Sequence, residues 1–139
     1  MSAAQSPSPN AVKLISALVG VVALLILLQG VTAGIFVRQP DKTTWVHAHQ
    51  GMAYLAALLA VAAVVVAFTT WKGMAGAQMV QRESVALLIA IIIQIGIGAQ
   101  LGTSGHTALL AIHIPLALLI FGLTLHLSTF VSNLRRSAR

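Results

Sequence analysis

Five histidines interrupt an otherwise apolar chain, and two of them stand where chemistry would need them. His49 opens the run His49-Gln50-Gly51-Met52-Ala53-Tyr54-Leu55, and His113 opens His113-Ile114-Pro115-Leu116-Ala117-Leu118-Leu119. Both follow the pattern His-x-small/Pro-Met/Leu-Ala-x-Leu. An ionisable residue inside a long apolar segment is expensive, so its default reading is functional. His49 precedes Lys72 by 23 residues and His113 precedes Arg135 by 22. At about 1.5 Å per helical residue, the two imidazoles lie at nearly one depth. Two neutral imidazoles at equal depth on facing helices are what a six-coordinate haem iron takes as axial ligands. The expected cofactor is one haem b, held by His49 and His113. His47 is the alternate to His49, because Gly51 follows it by four residues as Ala117 follows His113. Zinc fits less well, since the chain has no Cys and its spans supply no third or fourth ligand.

The residues around these histidines extend the reading. Gln29 and Gln94 precede His49 and His113 by 20 and 19 residues. Each suits an interhelical hydrogen bond, or a bond to a ligand histidine that fixes its tautomer. Gly51, Gly96, Gly98, Ala53 and Ala117 leave room beside the rings for something flat. Arg38, Lys42 and His47 could pair with haem propionates. His106 reads as a helix cap or a partner of a ligand, and His126 as structural, with no second histidine at its depth. Asp41 and Glu83 read as loop residues, and no residue is assigned to catalysis.

These side chains need membrane-spanning elements to position them. The chain is 58% hydrophobic and 7% charged, where a soluble domain carries about 25% charged residues. The net charge of +6 is no nucleic-acid signal, because the basic residues stand at the edges of apolar blocks. A helix needs about 20 apolar residues to cross a bilayer. Four stretches reach or approach that length: 12–37, 46–70, 85–101 and 107–131. The runs are too long and too uniform for barrel strands. The expected fold is all-α, an integral membrane four-helix bundle running up-down-up-down. A flexible tail over 1–11 precedes it and a basic tail over 132–139 follows, which suits anionic lipid.

Between the spans, Pro40 and Asp41 end one helix and Thr43 or Thr44 caps the next, 72–82 is a longer Gly-containing connection, and 102–105 (GTSG) make a tight turn. A cleaved signal peptide ending near Val31-Thr32-Ala33-Gly34 is the alternative for the first span. The apolar run continues through Ile35-Phe36-Val37, and Lys13 alone makes a thin basic region. Trp45 and Trp71 bracket the second span as interfacial anchors. Lys13, Lys72, Arg82, Arg135, Arg136 and Arg139 share one side, against Arg38 and Lys42 on the other. This excess puts both termini in the cytoplasm of a cell, expected to be bacterial.

The two Gln-to-His stretches, Gln29–Gly34 with His49–Leu55 and Gln94–Gly98 with His113–Phe121, form an internal repeat of two hairpins about a pseudo-twofold axis. In these segments the chain resembles one half of haem A synthase, whose two four-helix halves carry histidines on their second and fourth helices. It also resembles small four-helix bacterial membrane proteins of unassigned function. The first resemblance implies a bis-histidine haem b bundle. It does not extend to that family's catalytic glutamate or outer cysteine pair, because 43–48 reads Thr-Thr-Trp-Val-His-Ala and Cys is absent.

The expected function is one-electron transfer, or haem holding for a membrane partner, rather than stand-alone catalysis. A quinol or redox protein, or a larger membrane complex, would be the partner. The alternative is a non-catalytic accessory or assembly subunit whose histidines join helices. A third reading, a small transporter or proton path, is weakened by the lack of a carboxylate within the expected spans.

Overall fold

The computed structural model describes residues 5–39, 41–104 and 107–137. They form α1 (Pro9–Phe36), α2 (Thr43–Thr69), α3 (Ala77–Ser104) and α4 (Leu110–Ser137), with a short 3₁₀ turn at Thr107–Leu109 before α4. Four helices among the described residues are long and apolar enough to cross a membrane, with mean hydropathies between 2.2 and 2.7. The fold is an all-helical four-helix membrane bundle. α1 and α3 each pack against both α2 and α4, which puts α2 and α4 on a diagonal without direct contact.

The helix ends follow local chemistry. α1 begins three residues before the expected span because Ser8 caps it and Pro9 starts it. The Ser8 hydroxyl accepts from the Ala11 N–H at 3.2 Å, and proline is well suited to the first helical position. Asp41, rather than Thr43 or Thr44, supplies the side chain at the start of α2; its carboxylate accepts from the Thr43 N–H at 3.1 Å. α3 begins at Ala77, eight residues before the expected 85, and runs through the expected turn to Ser104. Polar Gln78, Gln81 and Arg82 made the first two turns of α3 read as a linker, although nothing there opposes helix. α4 likewise continues through 132–137.

The α2–α3 linker turns on Gly73 and Gly76, both at positive φ, where a side chain would be strained. It also receives the N-terminal segment: Ala75 N–H donates to the Gln5 carbonyl at 2.8 Å and Gln5 N–H to Gly73 at 3.3 Å. The expected loose tail is therefore tied down at Gln5.

Two apolar clusters fill the bundle. At the basic end Val12, Ile15 and Val19 meet Ala63, Ala67, Val80, Leu127 and Val131. In the middle Val22 and Leu25 meet Ala56, Ala60, Leu87, Ile91 and Ile120. Ala56, Ala60, Ala63 and Ala67 are all buried on one stripe of α2, a small-residue seam that lets helices approach closely. Trp71 belongs to this interior: it is fully buried in the basic-end cluster, while Trp45 is exposed. The reading of Trp71 as an interfacial anchor is corrected, because the linker folds it under α1. Within the most apolar stretch of each helix, a third of α1 is buried inside the bundle, against about a tenth of α3 or α4 (33% and 11%).

Candidate functional site

The α2 stripe that carries the alanine seam also turns His49 inward, leaving it half-buried while His47 is exposed. The His49 Nδ1 lies 3.0 Å from the Gln29 carbonyl oxygen and 3.2 Å from the Thr32 hydroxyl. A carbonyl can only accept, so Nδ1 carries the proton and the neutral ring keeps its lone pair on Nε2. Thr32 completes the arrangement by donating to the same Gln29 carbonyl at 3.0 Å. Phe36 packs edge-on against the imidazole with centroids 5.5 Å apart. Gln29, Thr32 and Phe36 step by three and four along α1, which places them on one face. The pairing ties α2 to α1 near the end of the bundle opposite the basic end.

His113 occupies the corresponding place on α4 in different surroundings. Its main-chain carbonyl, not its ring, is held: Gln94 Nε2 donates to it at 2.9 Å. The ring Nδ1 and the Gln94 Oε1 are buried without a partner among the described residues. Gly98 lies against the ring, where an added Cβ would come within 3.2 Å of its Cε1 carbon. Below the ring Ile120, Thr124 and Leu127 continue the His113 line into the core.

The other expected site residues fall into three groups. Ala53 and Ala117 are half-buried on the inward faces of α2 and α4, as read from the sequence. Gly51 and Gly96 are exposed, and an added Cβ at either would meet nothing. Of the glycines expected to make room beside the rings, Gly98 alone touches one of these imidazoles, and the imidazole fills that space. Arg38 and Lys42 are exposed near the ends of α1 and α2. His106, Pro40 and Arg139 lie outside the described residues.

A second polar cluster at the basic end went unread. Glu83 is not a loop residue: it sits in the second turn of α3, buried, with Oε1 2.8 Å from His126 Nδ1 on α4. Its Oε2, the Ser84 hydroxyl and the Trp71 indole N–H are buried without partners among the described residues. The bundle therefore holds a carboxylate within a membrane-length helix. The apolar middle cluster of Val22, Leu25, Ala56, Ala60, Leu87, Ile91 and Ile120 lies between it and the histidines. Thr32 was the other functional residue missed, although its i+3 spacing from Gln29 is a signal for it. The described residues contain no group of three or more His, Cys, Asp or Glu side chains that could hold a metal ion. Comparisons with models of known protein families, with curated proteins and with solved structures give no match.

Proposed function

We propose that this chain is a non-catalytic accessory subunit of a membrane assembly, a helical scaffold whose intramembrane polar groups hold its own helices in register. The observation that carries this reading is the use made of the histidines. His49 Nδ1 is committed to the α1 carbonyl of Gln29, and the His113 carbonyl to the Gln94 amide of α3. Such bonds are worth about 0.6 kcal/mol each on average, and up to about 1.7. Phe36 and the α3 backbone at Gly98 already cover one flank of each imidazole. The charge excess at the end carrying Lys13, Lys72, Arg82 and Arg136 favours cytoplasmic termini.

A second reading, a bis-histidine haem b protein serving a quinol or redox partner, is supported by a different observation. The Nδ1–H bond leaves His49 Nε2 with its lone pair, and His113 Nδ1 is a buried nitrogen without a partner among the described residues. Both belong to helices on the bundle diagonal, as the resemblance to haem A synthase implies. His49 and His113 would hold the iron, with Arg38 and Lys42 available to the propionates and Gln94 positioning α4. A haem bound there would supply one-electron chemistry.

Titrating the detergent-purified chain with haemin separates the two readings. The scaffold reading expects no low-spin Soret band and a lowered unfolding temperature for His49→Ala. A stoichiometric low-spin spectrum, abolished by His49→Ala and by His113→Ala but not by His126→Ala, would replace it with the haem reading.

A further inference from the structure

At the basic end, two open grooves share Gln78, Gln81 and Arg82. One, of about 440 Å³, runs between α2 and α3 and has Phe68, Val85 and Ile89 among its walls. The other, of about 710 Å³, follows the linker from Lys72 into the first turn of α3. Together they make a trough that is apolar towards the bundle middle and cationic at the rim.

Among the described residues nothing neutralises the charges at that rim. The chain has two acidic residues. Asp41 caps α2 at the opposite end and Glu83 is paired with His126. Among the described residues, exposed Lys72 and Arg82 make no ion pair. The first turn of α3 carries no acid, and the positive end of that helix also favours an anion. Gln81 is committed, donating to the Ala67 carbonyl at 3.3 Å. It clips α2 to α3 and fixes the trough's floor.

We propose that this trough binds one anionic phospholipid, its phosphate between Lys72, Arg82 and the α3 N-terminus, its acyl chain along Phe68, Val85 and Ile89. A neutral quinone would leave both cations unanswered, and a free phosphate would leave the apolar wall unused. Basic residues at a membrane boundary recognise anionic headgroups in this way.

The test is native mass spectrometry of the detergent-purified full chain, titrated with phosphatidylglycerol or phosphatidylcholine. A one-to-one phosphatidylglycerol adduct is expected, with phosphatidylcholine much weaker. Arg82→Gln and Lys72→Gln should each weaken it about fivefold, and Arg82→Lys should restore most of the loss. Val85→Trp, which fills the trough with the charges intact, should also remove the adduct, while inorganic phosphate should not displace it. The proposal is overturned by equal retention of the two lipids, or by a loss from Arg136→Gln as large as that from Arg82→Gln. Displacement by inorganic phosphate would overturn it too. Should Arg82→Gln not fold, the Arg82→Lys and Val85→Trp arms decide.

Discussion

His49 and His113 hold equivalent places in an internal repeat, yet their surroundings differ. The His49 ring is gripped by a carbonyl and a hydroxyl from α1, whereas the His113 ring has a buried nitrogen without a partner among the described residues. One substitution accounts for much of this. Counted from the repeated glutamine, the position of Thr32 is taken by Ile97 in the second half, so the hydroxyl that orients His49 has no counterpart. The glutamines changed roles as well: Gln29 contributes its main chain, Gln94 its side chain. A repeat can thus keep residue types in register while one copy holds a ring and the other holds a backbone. In lipid, where association rests on packing and a few polar bonds, that difference sets how firmly each hairpin is joined.

The largest effect is expected from His49→Ala, which removes both hydrogen bonds and the Phe36 contact at once. It should cost about 1–3 kcal/mol in reversible unfolding from mixed micelles. His113→Ala should cost less than half as much, and equal losses would break the comparison. Gln94→Leu comes next, at about 1 kcal/mol by the same measurement. It frees the His113 carbonyl while also removing the orphaned Oε1. Thr32→Val, which keeps the shape and deletes the hydroxyl, should cost about 0.6 kcal/mol. Hydrogen exchange should show the accompanying loosening confined to the α1–α2 hairpin. The smallest effect sharpens the contrast from the other side: Ile97→Thr offers the second half the missing hydroxyl and should stabilise by a few tenths of a kcal/mol.

Much of this architecture was legible in the sequence, because twenty-residue apolar runs have few other solutions. The inward turn of His49 was legible too, from its place on the alanine seam at positions 56, 60, 63 and 67. What escaped was set by neighbours that no local pattern names. Trp71 reads as an interfacial anchor until the linker glycines fold it beneath α1. Glu83 lies among polar residues and reads as loop, yet helix propensity carries α3 back through it to Ala77, and His126 of α4 receives it. Gly51 and Gly96 match the expected spacing beside the rings but face outward, because a one-residue step turns a helical position by about 100°. Whether Gln29 acts through its amide or its carbonyl is likewise invisible in a residue letter.

The central claim is that His49 serves as a clamp through a protonated Nδ1 while His113 is free of such a bond. Nitrogen-15 NMR of imidazole-labelled protein in micelles tests this most directly, before and after adding haemin. The account predicts a protonated, hydrogen-bonded Nδ1 on His49 alone, unchanged by haemin and retained in Thr32→Val, where the Gln29 carbonyl still accepts. Two equivalent imidazoles whose signals shift together when haemin is added would contradict it.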